Sequence, residues 1–264
     1  MNYDLKGRVA VITGSGKGIG RGIAYALAEQ GARVAINYNY NDKTAMETMT
    51  CLQAHGCEAI CVKADVSTPE GAALLIERTV SAFGGLDILI NNAALQSNYT
   101  FDQYDEAGFD LILRTNLASG FNCVQAALPY LKQSAHGRIL NLGSVHSEMP
   151  GSFDPVYAMS KGAVRSFTRE IALAVGRYGI TANLIMPASV DIEFKTDVHA
   201  MIHPVAGRND REIPKTRHFH SHMFCIERTG KPEDIAGMAC YLASDAASHI
   251  TGACITVDGG FLIT

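Results

Sequence analysis

Thr13-Gly14-Ser15-Gly16-Lys17-Gly18-Ile19-Gly20 lies between an apolar run, Val9-Ala10-Val11-Ile12, and a segment of helical period from Gly18 to Gln30. Without Cβ atoms, a turn of this kind lets the backbone approach a pyrophosphate, whose charge then sits on the helix N-terminus. A tight bend with small packing residues would use the same glycines. Placement between a strand and an amphipathic helix favours the phosphate cradle.

The same alternation continues outward from this turn. Val34-Ala35-Ile36 reads as a second strand, Lys43 to Ala54 as a helix, and Ala59-Ile60-Cys61-Val62 as a third strand. A helix over Pro69 to Phe83 leads to Leu86-Asp87-Ile88-Leu89-Ile90. One long helix near Phe109 to Leu131 precedes Arg138-Ile139-Leu140-Asn141-Leu142, and another near Val156 to Tyr178 precedes Thr181-Ala182-Asn183-Leu184-Ile185. The last helix starts near Pro232, a good first-turn residue, and the last strand is Ala253-Cys254-Ile255-Thr256-Val257. Strands apolar on both faces and separated by helices specify a parallel sheet covered on both sides. Residues 1–264 therefore read as a single α/β domain of about seven strands. The exception is 191–228, with weak periodicity and five of the nine histidines; so long an irregular stretch reads as a lid.

Bulk properties exclude several roles. A net charge of -4, with neither basic arm nor basic stripe, argues against nucleic acid or an anionic membrane as partner. No run approaches the roughly 18 apolar residues a membrane span requires. The start, Met1-Asn2-Tyr3-Asp4-Leu5-Lys6-Gly7, has no apolar signal core, so a cytoplasmic protein is expected. Seven cysteines, an odd count without a CxxC pair, read as reduced structural residues, with Cys57 and Cys61 as small buried ones.

Tyr157 and Lys161 sit four apart on an expected helix and so share a face. An adjacent ammonium favours phenolate and lowers a tyrosine pKa toward the range useful for proton exchange with an alcohol or carbonyl. Many surface helices carry such a pair. Ser144, at the carboxyl end of the fifth strand, makes the set more specific, because sheet sites lie at strand carboxyl ends.

With these residues in hand, the chain resembles the short-chain dehydrogenase/reductase family over its full length. The motifs are the TGxxxGxG turn, Asp65-Val66, Asn91-Asn92-Ala93-Ala94, Asn116, Ser144, Tyr157-Ala158-Met159-Ser160-Lys161 and Val257-Asp258-Gly259-Gly260. The resemblance implies a Rossmann-type, doubly wound sheet with helices on both faces and a substrate lid over 191–228. It implies that Tyr157 exchanges the proton, Lys161 bonds the nicotinamide ribose and lowers the phenol pKa, Ser144 holds the substrate oxygen, and Asn116 positions a water. The implied cofactor surface comprises Gly14, Ser15, Lys17, Gly18, Ile19, Gly20, Asn37, Tyr38, Asn39, Asp65, Val66, Asn92, Ala93, Pro187 and Val190, with Tyr157 and Lys161 shared. Strand two ends in Asn37-Tyr38-Asn39-Tyr40-Asn41, and the first acid, Asp42, falls in the next helix. With Lys17 in the turn and no carboxylate to repel a 2′-phosphate, NADP(H) is favoured, while NAD(H) stays open.

The segment Val145-His146-Ser147-Glu148-Met149-Pro150 resembles bacterial glucose 1-dehydrogenases, in which the histidine and an acid bond sugar hydroxyls. Here Gln96 takes the acid's place, so Gln96, His146 and Ser144 are the expected substrate contacts; His146 packing beneath the lid is the alternative. Ile192 stands where the family often has a threonine. The expected reaction interconverts a secondary alcohol and a ketone on a sugar, polyol or related hydroxylated small molecule. A 3-oxoacyl-thioester (carrier-protein) reductase shares the motifs, and a non-catalytic dinucleotide-sensing regulator is the alternative of another class. A homotetramer is also implied, through the helices around 109–131 and 156–178 and through the last helix and strand. The alternating His218, His220 and His222 suggest metal ligands, but interleaved Phe219, Met223 and Phe224 read better as a flap, and no metal site is expected.

Overall fold

Val9–Ile12 (β1) is buried at every position because both of its faces and both of its edges are covered. The computed structural model describes residues 3–150, 154–192 and 223–264. His218, His220, His222 and most of the expected lid lie outside the described residues.

The remaining strands are Arg33–Tyr38 (β2), Ala59–Lys63 (β3), Ile88–Asn91 (β4), Arg138–Leu142 (β5), Thr181–Pro187 (β6) and Cys254–Val257 (β7). They form one parallel seven-stranded sheet in the order β3-β2-β1-β4-β5-β6-β7. The chain moves outward from β1 to β3, then crosses back to β4 on the other side of β1. That reversal opens a crevice at the carboxyl ends of β1 and β4, where ligands of open parallel sheets bind.

On one face, Gly18–Glu29 (α1) and Pro232–Ala243 (α7) pack Ile23, Leu27, Ile235 and Ala239 onto Ile12, Ile36 and Ile90. On the other, Pro69–Phe83 (α3), Ser119–Leu131 (α5) and Pro155–Val175 (α6) bury Leu75, Ile76, Leu131, Ile171 and Val175 against Val11, Leu89 and Ile139. Asp42–Ala54 (α2) flanks β2 and β3, and Glu106–Leu113 (α4) precedes α5. None of the described helices is long and apolar enough to cross a membrane.

Two expectations need correction. The long helix expected over 109–131 is two helices, α4 and α5, joined by a π turn at Arg114–Ala118. The wider turn admits an extra residue, and Asn116 points inward from it. Helix α6 falls where it was expected, near Val156: Asp154 caps it and Pro155 takes the first position. Cys57 and Cys61 are only half-buried; Cys123 and Cys240 are the buried cysteines, and all seven are free thiols.

At the amino ends of the strands, buried Arg8 and Arg138 both reach Asp245, at 2.7 and 3.1 Å, and His136 Nδ1 stands 3.0 Å from the same carboxylate. This ties β5 and the end of α7 to the chain just before β1, at the end of the sheet away from the crevice.

Candidate active site

The crevice is a cleft of about 960 Å³. Its floor is the glycine turn. Gly14 has φ +62°, and a Cβ there would stand 3.0 Å from Ala93 Cα, so the turn after β1 and the loop after β4 close on each other. Gly18, with φ +57°, opens α1. That helix begins at Lys17 with no side-chain cap and no acid in its first turn. Its leading N–H groups therefore suit a phosphate, and the residues present fit a dinucleotide. Burial lowers the Lys17 pKa from its ordinary value.

Some expected cofactor residues serve beneath this surface instead. Ser15 is fully buried; its Oγ donates to Ile12 O at 2.7 Å and accepts from Asn37 N at 3.1 Å. Gly20 packs beside Asn92, whose amide donates to Thr13 O at 2.8 Å. Asn37 is 2% exposed: it donates to Ala64 O and Val62 O and accepts from Gly14 N. Its polar atoms pin the turn to β2 and β3, and it still lines that end of the cleft beside Tyr38, Asn39, Tyr40, Asn41 and Thr44. Asp65 lines the cleft with one carboxylate oxygen accepting from Ser67 N at 3.0 Å. Val66, Ala93, Pro187, Val190 and Ile19 lie on the wall as expected. Ile192 lies over the turn, 3.3 Å from where a Gly18 Cβ would be, and offers no hydroxyl there.

At the other end, Ser144 and Tyr157 both line the cleft. Burial pushes the Tyr157 phenol up to about 12; a hydrogen bond from Ser144 works the other way, and the Asp154 charge adds to the rise. Lys161 is 3% exposed and donates to Leu142 O at 2.8 Å, with Nζ 5.6 Å from the centre of the Tyr157 ring. Burial lowers its pKa to about 8. The expected depression of the phenol pKa by Lys161 is therefore not found in the chain by itself. Burial of both groups dominates, and the phenol keeps its proton at neutral pH. Asn116 lies behind the wall, accepting from Leu95 N at 2.7 Å and donating to Leu95 O at 2.9 Å and Ser160 Oγ at 3.0 Å.

Residues 14–262 match the family described as enoyl-(acyl carrier protein) reductase. The chain belongs to the short-chain dehydrogenase/reductase family. It is an NAD(P)-dependent oxidoreductase. This reductase-family chain is 32% identical to an L-rhamnose 1-dehydrogenase (NAD(P)(+)) of a Sphingomonas species, covering 98% of each chain. It is 33% identical to 3beta-hydroxysteroid dehydrogenase 1 of Eggerthella lenta, covering 100% of this chain and 97% of that one. A short-chain dehydrogenase from Burkholderia cenocepacia, solved in complex with NADP, superposes with a TM-score of 0.85 at 30% identity, over 98% of this chain and 99% of that one. The enzyme assignment displaces the non-catalytic sensor reading.

In this short-chain dehydrogenase/reductase Gln96 and His146 line the same cleft as Ser144 and Tyr157. His146 Nδ1 lies 3.2 Å from Met149 O; a carbonyl only accepts, so that nitrogen carries the proton in this contact. Its ring stands edge-on to Tyr157, 6.5 Å between centres, and burial lowers its pKa. Gln96 is exposed and donates to Asn98 Oδ1 at 2.9 Å. Sequence reasoning missed Asp154, Ser97 and Tyr104, which pack directly behind this wall. Asp154-Pro155 is a readable helix start, but nothing local points to partners more than fifty residues away.

Proposed function

We propose that this enzyme interconverts a secondary alcohol and a ketone on a sugar, polyol or related hydroxylated small molecule, with NADP(H) preferred over NAD(H). The observation that carries the reading is the placement of Tyr157 beside Ser144 at one end of a cleft whose other end is an uncapped helix N-terminus beside Lys17.

In reduction, Tyr157 gives its proton to the carbonyl oxygen; in oxidation it takes the alcohol proton back. Ser144 donates a hydrogen bond to the same oxygen, stabilising charge as it develops. Lys161 contributes a positive charge next to the phenol and a donor for the nicotinamide ribose. Asn116 fixes the loop after β4 against α6. Gly14, Lys17, Gly18 and Ile19 would hold the pyrophosphate, Tyr38 and Asn39 the adenosine ribose, Asp65 and Val66 the adenine, and Asn92, Ala93, Pro187 and Val190 the middle of the cofactor. When bound, the nicotinamide supplies or accepts the hydride.

Two features support NADP(H). Lys17 stands in the turn, and the first acid after β2, Asp42, is already engaged by Lys63 at 3.1 Å. Gln96 and His146 support a hydroxylated substrate, because both side chains bond hydroxyls. We also assign the enzyme to the cytoplasm and to a homotetramer. The test is a panel of sugars, polyols, steroids, ketones and 3-oxoacyl thioesters with each cofactor, followed by the absorbance of the reduced nicotinamide. Turnover of a sugar or polyol supports the proposal. Turnover confined to a 3-oxoacyl thioester would favour the carrier-protein reductase reading instead.

A further inference from the structure

The substrate wall after β4 is irregular chain, with Asn98 in the left-handed region at φ 59°. Two buried side chains hold it. Asn116 grips Leu95 through both its N–H and its carbonyl. Asp154 grips the residues just beyond: Oδ2 accepts from Ser97 N at 2.7 Å, Ser97 Oγ at 2.9 Å and Asn98 N at 3.0 Å. Its other oxygen, Oδ1, accepts from Tyr157 N at 3.0 Å and from the Tyr104 hydroxyl. Ser97 Oγ and Tyr104 Oη are themselves 2.5 Å apart.

Asp154 is 4% exposed, and a carboxylate so far from water is tolerated only when its acceptor sites are filled. A helix cap needs one or two amide contacts. The bonds to Ser97, Asn98 and Tyr104 add nothing to the cap; they fasten a loop. Gln96 lies between the residues gripped by Asn116 and Asp154 and is exposed on the cleft.

We propose that Asp154 is a positioning residue that fixes the Gln96 wall at a set distance from Tyr157, one carboxylate oxygen holding the first turn of α6 and the other the substrate loop. The inference rests on the proposed roles of Tyr157 as proton donor and Gln96 as substrate contact. It makes specificity depend on one buried carboxylate: a substrate must reach Gln96 with a second polar group while its reacting carbon lies at Tyr157. The class this selects is polyhydroxylated rather than simple alcohols.

The test is Asp154→Ser, which keeps an oxygen for the Tyr157 amide but cannot reach Ser97 or Asn98. Tyr104→Phe removes one loop donor, leaves the cap intact and serves if the first variant does not fold. Amide hydrogen exchange, titration with reduced cofactor and steady-state kinetics on the best polyhydroxylated substrate are compared with the wild type. For Asp154→Ser, exchange across 95–99 is expected to rise about tenfold while 158–172 stays unchanged, and KM to rise about tenfold with kcat within about threefold. Cofactor affinity stays at the wild-type value. Tyr104→Phe gives the same pattern at roughly threefold.

Unchanged exchange across 95–99 overturns the clamp. Looser exchange with an unchanged KM overturns the positioning role. A wild-type enzyme that turns over no alcohol with either cofactor sinks the functional reading, while exchange across 95–99 still decides for or against the clamp.

Discussion

Tyr157 holds its proton more tightly than a free phenol because burial penalises the phenolate more than Ser144 relieves it. The sign follows directly. Reduction uses the protonated form, which is fully present at neutral pH. Oxidation needs the phenolate, whose population grows as pH rises toward about 12. The kcat/KM for oxidation is therefore expected to climb from neutral into alkaline pH while that for reduction does not; a flat oxidation profile would count against Tyr157 as the base. Lys161 keeps its charge below about 8 and loses it above, so a second inflection is expected near that value. At the opposite end of the cleft, Lys17→Ala is expected to weaken NADPH binding by roughly tenfold, the loss of one charge-assisted hydrogen bond, with NADH little changed. Paired titrations check this, and equal losses for both cofactors would remove Lys17 from 2′-phosphate recognition.

The elements came through from sequence where both periodicity and punctuation were local. The central strands β1, β2, β4, β5 and β6 are largely buried apolar runs, the edge strands β3 and β7 less so, and all seven follow the expected segments closely. The π turn at Arg114–Ala118 was not visible, and the groups that its Asn116 meets, Leu95 and Ser160, lie in other parts of the chain. Asn37 shows the same limit at the site. Its place at the end of strand two suggested cofactor contact, and it lines the cleft; that its amide also holds three chain segments together could not be read from that place. Sequence marks where a polar residue falls along the chain, while its partner is set by packing. The Asp245 cluster is a prediction at this scale. His136 and Arg8 hold its carboxyl below the usual range against the opposing effect of burial, so its stabilising contribution is present above the unfolded carboxylate value and lost as pH falls through the folded one. Asp245→Asn leaves the buried Arg8 and Arg138 without their anion. It should cost about 2 kcal/mol by chemical denaturation, less than a fully buried pair because Asp245 is open to water. No change in stability would show that the cluster does not tie the strand ends.

For the whole molecule, the sheet order puts the phosphate turn, Ser144 and Tyr157 on one cleft, and that arrangement follows from the crossover after β3. Outside the cleft, Leu113, Leu117, Phe121 and Phe167 line an apolar groove between the α4–α5 pair and α6, with Phe121 50% exposed. A second copy of the chain covering this groove accounts for such exposure in the proposed tetramer. Light scattering should give a four-chain mass for the wild type and a smaller one for Phe121→Asp; a wild-type monomer would remove the assembly from the account. The alternating histidines at 218, 220 and 222 lie outside the described residues, and the proton chemistry is assigned without them.

The most direct test of the central claim is Tyr157→Phe, assayed for turnover and for binding of reduced cofactor on the same preparation. The proposed mechanism predicts turnover reduced by at least about a thousandfold, with cofactor affinity within about twofold of wild type. A variant that still turns over at close to the wild-type rate would contradict the assignment of Tyr157 as the proton donor.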